Sequence, residues 1–216
     1  MKLRAQDGLY GGDKGWDSDQ QLFAKVTVTW KQWLGRAGEH LQTAQVLLPE
    51  INSYNALLES LREAKVQSAR IPSCVIGQYF FHCAMAVENA FKGVMSFTSS
   101  ITIEQSVLVT GRLPKTLLGH DLRVLAKRAG HEMNIDDEYV LAFLTRYGIW
   151  GGKYPLPIDN RNYALTTKLS NGKHYFVGGW HSDKVPLYLT FACNVCQWAR
   201  SAIEDSSQAG ELNTGE

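Results

Sequence analysis

Apolar residues recur at three- and four-residue steps along most of this chain, and that period predicts helices. From Leu22 to Leu48 the positions Trp30, Trp33, Leu34, Ala37, Leu41, Ala44 and Leu48 form one apolar face, and Pro49 is expected to end the helix. A second helix carries Tyr54, Leu57, Leu58, Leu61 and Ala64 in phase and stops at Ile71-Pro72. The clearest pattern runs from Cys74 to Phe97, with Ile76, Tyr79, Phe80, Cys83, Val87, Ala90, Val94 and Phe97 on its core face. Residues 98–118 are β-branched and threonine-rich and read as a connection ending in Gly111 and Pro114. A further helix is expected from about Asp121 to Ala129, closed by Gly130. Another begins near Asp136, where two carboxylates suit the positive end of a helix dipole, and carries Tyr139, Val140, Phe143, Leu144 and Tyr147. The last helix spans about Val185 to Glu204, with Leu187, Phe191, Val195, Trp198 and Ala202 turned inward.

The helical period breaks over 162–182. Two β-prone runs, 162–169 and 173–177, flank Asn171-Gly172, which signals a hairpin. Residues 1–20 are polar and glycine-rich and read as a flexible arm; those after Ser206 read as a disordered tail. The expected fold is therefore mainly α: one up-and-down helical bundle over 21–205, with a β-hairpin inserted before the last helix.

Composition narrows the function classes. A chain of 216 residues is long enough to bury roughly 70% of its unfolded surface without disulfides or a structural metal. The net charge of +1 supplies no global attraction for nucleic acid, so any such contact must be a local patch. The start of the chain has no apolar signal core, and no run approaches the roughly 20 apolar residues that span a bilayer. Cys74, Cys83, Cys193 and Cys196 all fall in helical apolar patterns, which fits reduced thiols in a cytoplasmic protein with no metal site. No cofactor-binding or nucleophile motif is present: the chain lacks Gly-x-Ser-x-Gly, a phosphate-binding glycine loop and His-Glu-x-x-His.

Three segments carry candidate chemistry. On the Cys74–Phe97 helix, His82, Met85, Asn89 and Lys92 share a face, and Glu88 with Lys92 is an i,i+4 pair. Such a stripe faces a cleft or partner, or is a solvated face with one weak ion pair. The turn Gly119-His120-Asp121-Leu122 opens a helix; Asp121 or His120 either caps it or meets a ligand there. In 146–157, Gly148, Gly151 and Gly152 permit close backbone approach. Trp150 and Tyr154 offer rings for a base, and Arg146 and Lys153 offer cations for phosphate. The plainer alternative is a connecting loop with Trp150 plugged into the core. His82, His120 and Arg146 are the candidate catalytic groups; Glu88, Lys92, Trp150, Lys153 and Tyr154 are the candidate ligand contacts. The chain order places the stripe of His82, Glu88 and Lys92 beside the 146–154 loop.

In these segments the chain resembles the HEPN superfamily of nucleotide-binding helical domains. The resemblance covers roughly Trp30 to Ile203 and rests on WLGRAGEHLQTAQVLL and YFFHCAMAVENAFKGVM. It rests also on the outline of Ala84, Glu88 and Lys92, on Gly119-His120-Asp121-Leu122, and on the Tyr154-Pro155 loop. It implies a short helical bundle, usually a homodimer, that binds nucleotide or RNA. Many members act in toxin–antitoxin or anti-phage systems beside a nucleotidyltransferase or defence partner. Many of these are metal-independent ribonucleases, and others bind nucleotides or only mediate association as adaptors. Catalytic members resemble one another in an Arg and a His separated by four to six residues. Here Arg36 and His40 have three residues between them, Arg128 and His131 two, and Arg123 and His131 seven, so that motif is lacking. Lys153-Tyr154-Pro155 stands where many relatives have Arg-Tyr-Pro, which keeps the charge and loses the bidentate fork.

Overall fold

The computed structural model describes residues 14–65, 74–151, 166–177 and 182–212. In chain order these form α1 (Lys14–Val28), α2 (Trp30–Glu63), α3 (Cys74–Thr98), α4 (Ser100–Thr110), α5 (Lys115–Leu118), α6 (Leu122–Ala129), α7 (Ile135–Arg146), β1 (Thr166–Lys168), β2 (His174–Phe176) and α8 (Val185–Leu212). The protein is mainly helical, with a small antiparallel hairpin before the last helix.

Helix α3 is the hub, packing against α2, α8, α6 and α7. All of its expected core face is buried except Phe97, which packs at the edge of the core. At its first turns Phe80 meets Phe143, Tyr147 and Tyr188 with ring centroids 4.9–5.0 Å apart, and Phe143 stacks on Tyr188 at 4.5 Å. The Tyr79 hydroxyl donates to the carbonyl of Val185 at 2.7 Å and ties α3 to the start of α8. Each such ring pair adds about 1 kcal/mol beyond the area it buries.

The first two predicted helices are divided differently from expectation. Helix α1 begins at Lys14, inside the stretch whose polarity reads as an arm, and the chain breaks at Thr29. The Trp33 indole N–H donates to the Thr27 carbonyl at 3.0 Å, satisfying an end group of α1 from within α2. Pro49 lies inside α2 and does not stop it. The buried positions Ala44, Ile51 and Asn55 continue one face through the proline, and packing of that face offsets the missing N–H. Leu57 falls out of that phase and is exposed.

Residues 100–110 form α4 and not a connection. Ile103 and Val107 are buried, the Gln20 amide of α1 donates to the Leu108 carbonyl at 2.6 Å, and Gly111 closes the helix at φ +65°. Tertiary contact with α1 thus overrides the weak helix propensity of a β-branched run. Residues 147–151 continue α7 as one π-helical turn, where a loop is expected. Helix α8 reaches Leu212, past the start of the expected tail, and its buried phase of Val185, Tyr188, Leu189 and Ala192 leaves Leu187 exposed.

The hairpin pairs Thr166 with Phe176 and Lys168 with His174, and Gly172 takes φ +77° at its turn. It is pinned to the bundle by three bonds: Arg123 to the Lys168 carbonyl, Arg146 to the Val177 carbonyl, and the Ser170 N–H to Glu138. Leu169 and Val177 bury against Ala142 beneath it.

Helices α2 and α3 approach closely at Gly93, where a Cβ would lie 3.0 Å from Leu34 and 3.4 Å from Trp33; nothing lies within 4 Å of a Cβ at Gly38. Gly93→Val therefore lowers the unfolding free energy by about 2 kcal/mol through overpacking. Gly38→Ala is neutral or stabilising by up to about 1 kcal/mol. Urea unfolding of the two variants checks the contrast.

Candidate functional site: a carboxylate, a lysine and three histidines

The centre of the site is Glu88, on the face of α3 that meets α2 and the turn before α6. Glu88 and Lys92 are both buried, with the ammonium 2.7 Å from Oε1. Lys92 also lies over the ring of Trp33, 5.7 Å from its centroid. The solvated-face alternative is thus excluded for this pair, and its energetics are those of a buried pair. Desolvation of both ions takes back much of the Coulomb gain, and further hydrogen bonds are needed to complete the shell.

His120 supplies one of them. Its Nδ1 lies 3.1 Å from Glu88 Oε1 and 3.0 Å from Oε2. The turn that presents it is fixed on both sides by buried leucines, Leu117 and Leu122. Asp121 caps α6, accepting from the Arg123 and Val124 N–H groups, so the capping reading holds for Asp121. The His120 side chain remains 49% exposed and is the site's opening to solvent. Burial alone would raise the Glu88 pKa. The His120 hydrogen bond and the Lys92 charge outweigh it and hold the carboxyl below its usual range. A carboxylate only accepts, so Nδ1 of His120 carries the hydrogen and Nε2 is left as the nitrogen available for proton transfer or ligand contact.

A second pair of imidazoles lies along the α2–α3 seam. Nδ1 of His40 and Nδ1 of His82 are 2.9 Å apart, and both rings are partly buried. Desolvation lowers the pKa of each; the neighbouring His82 lowers that of His40 further, while the Glu88 charge raises it. Both rings are therefore predominantly neutral at neutral pH, and one donates to the other. His40 is absent from the sequence-based site. The available signal was a histidine seven residues after Trp33, on the apolar face of its own helix.

Of the 146–154 segment, the described residues that bear on this centre lie at its start. Gly148 lies against Ala84, where a Cβ would be 3.3 Å from the alanine Cβ, and Ala84 is one turn before Glu88. Arg146 donates to the Val177 carbonyl, so its guanidinium braces the hairpin. Lys153, Tyr154 and the Trp150 side chain lie outside the described residues. Asn89 donates to the Met85 carbonyl within α3. Burial pushes the thiols of Cys83 and Cys196 up to about 12, which makes them packing groups and not nucleophiles. Among the described residues no group of three His, Cys, Asp or Glu is arranged to hold a metal ion, and no helix is long and apolar enough to cross a membrane. An apolar cavity of about 260 Å³ between α2 and the start of α3, lined by Ile51, Tyr54, Leu57, Val75 and Ile76, shares no residue with the polar centre.

No family model matches this chain, and no curated protein and no solved structure matches it either.

Two predictions follow from these charges. Glu88→Gln leaves Lys92 buried without its counter-ion and destabilises the fold by about 3–5 kcal/mol; adding Lys92→Met recovers most of that loss. Chemical denaturation of the single and double variants measures the coupling. The second concerns acid. His40, His82 and His131 all bind protons less readily in the fold than at the ordinary value of 6.5. The unfolded chain takes up those protons first, so stability is full above pH 6.5 and falls as the pH drops through the lowered values. Glu88 adds a further loss only below its ordinary 4.5. The melting temperature should hold from about pH 8 to 6.5 and decline below it, less steeply in His82→Asn. A flat profile down to about pH 5 would contradict this assignment.

Proposed function

We propose that this protein is a HEPN-like helical domain that binds nucleotide or RNA, working as a homodimer beside a nucleotidyltransferase or within a toxin–antitoxin or anti-phage system. One observation carries the reading. Two of the features on which the resemblance rests, the Glu88–Lys92 stripe and the Gly119-His120-Asp121-Leu122 turn, are 32 residues apart and meet in one hydrogen-bonded centre. That centre is held on rigid elements and opens to solvent through His120 alone among its three groups. A phosphate oxygen beside Nε2 would accept from that nitrogen when it carries a hydrogen, with Glu88, itself held by Lys92, fixing the ring from behind.

A second reading, a metal-independent ribonuclease, is favoured by the three imidazoles. His120, with its Nδ1 held by a carboxylate, leaves Nε2 for proton exchange, and the His40–His82 pair adds two further imidazoles. The Arg of the usual Arg-x4–6-His motif has no counterpart in it. The adaptor reading predicts neither binding nor cleavage.

The dimer, where it forms, does not use the core face of α3, because that face is consumed inside the bundle. Among the described residues, the exposed large apolar side chains on α1 and α4 are Leu22, Phe23, Val26, Ile101, Leu108 and Val109.

Binding of a fluorescent oligoribonucleotide in EDTA tests the proposal. The parent should bind at micromolar concentration, and His120→Asn, whose amide N–H can still reach Glu88, should weaken binding about tenfold with the melting temperature nearly unchanged. Cleavage in EDTA that His120→Asn abolishes would establish the ribonuclease reading. Absence of both binding and cleavage would leave the adaptor.

A further inference from the structure

We infer that the corner formed by α5, the His120 turn and α6 is a surface that tracks the phosphate backbone of RNA; this rests on the nucleotide- or RNA-binding reading and locates its contacts.

The inference starts from an uneven distribution of charge. Residues 112–130 carry five cations, Arg112, Lys115, Arg123, Lys127 and Arg128, against the single carboxylate of Asp121. The whole chain has a net charge of only +1, so the rest of it is net negative. A local patch is what a near-neutral protein needs in order to meet a polyanion.

The fold turns this run of sequence into a surface. Arg112, Lys115, Lys127 and Arg128 are all exposed. Arg128 donates to the Thr116 carbonyl at 3.2 Å, which folds the end of α6 back onto α5 and sets Arg128 beside Lys115. Arg123 is the exception: it reaches the Lys168 carbonyl and lies 3.8 Å from Asp121. Glu138 is near enough to Arg123 and Lys127 for their charges to help lower its pKa, after its bond from the Ser170 N–H. Among the described residues Arg112, Lys115, Lys127 and Arg128 make no ion pair. The dipole of α6 accounts for cations at its last turn, where Lys127 and Arg128 stand, but gives no reason for Arg112 and Lys115 on other elements.

The same corner holds His120, whose exposed ring leads back to Glu88. A backbone lying across it therefore passes over His120, through which the Glu88–Lys92 pair reaches solvent. Residues 112–130 contain no Phe, Tyr or Trp, so the imidazole of His120 is the single ring in that stretch that a base could meet. Recognition there is mainly of phosphate, and sequence preference should be slight.

The test is the salt dependence of binding. Affinity of the full chain for single-stranded oligouridylate and oligoadenylate is measured from about 50 to 300 mM salt. The variant is Lys115→Ala/Lys127→Ala/Arg128→Ala, three exposed positions, with Lys25→Ala/Lys173→Ala/Lys184→Ala as a control of equal charge elsewhere. The slope of log affinity against log salt should flatten by about 2 in the first variant, at about 0.7 for each lost phosphate contact, and stay unchanged in the control. The two homopolymers should bind the parent within about threefold of each other. RNA binding with the same slope in the first variant and the parent would overturn the surface while leaving the RNA reading intact. No RNA binding by the parent at low salt would overturn both. Binding of anionic vesicles or of an acidic peptide in place of RNA would overturn this occupant.

Discussion

The buried Glu88–Lys92 pair is the constraint around which the site is arranged. An ion pair with both members under a tenth exposed is stable only where every remaining lone pair and proton is occupied. Lys92 finds the face of Trp33 on α2, and Glu88 finds His120 before α6. Each partner comes from a different element, so completing the shell of one pair sets where α2 crosses α3 and where the α5–α6 turn must return. Gly93 permits the first of these, since any larger residue would meet Leu34. The buried leucines on either side of His120 permit the second.

A pair of this kind is weak grounds for stability. Apolar residues of similar volume would serve folding as well, because desolvation consumes most of the Coulomb gain. Its effect on His120 is specific. The carboxylate holds the hydrogen on Nδ1, so Nε2 is always the nitrogen on offer, whatever the charge of the ring. The core of α3, with its aromatic cluster of Phe80, Phe143, Tyr147 and Tyr188, supplies the stability against which that arrangement is maintained.

Long apolar periodicity made the helical bundle legible in the sequence, and Asn171-Gly172 made the hairpin legible. Where the sequence misled, tertiary contact had decided the outcome. Helix α4 is a poor helix former held by α1, and Pro49 is carried by a buried face that continues on either side of it. The candidate site was half legible. An i,i+4 spacing brings Glu88 to Lys92, and a helix-start motif marks His120, but spacing alone cannot say whether a stripe is solvated. Burial of Glu88 and Lys92 depends on Trp33 and on a turn 32 residues away. His40 was hidden for the converse reason: a lone histidine on an apolar face acquires meaning only when the facing helix supplies His82.

The two groups of histidines respond differently to a ligand. His40 and His82 are partly desolvated and share a proton, so a charge placed on either is opposed by the other ring and by lost water. They are suited to staying neutral. His120 has the Glu88 carboxylate on its Nδ1 side and solvent on the other. The polar centre is thus divided into a neutral imidazole pair between α2 and α3 and a carboxylate-backed ring open to solvent, with the exposed cations of α5 and α6 beside the latter.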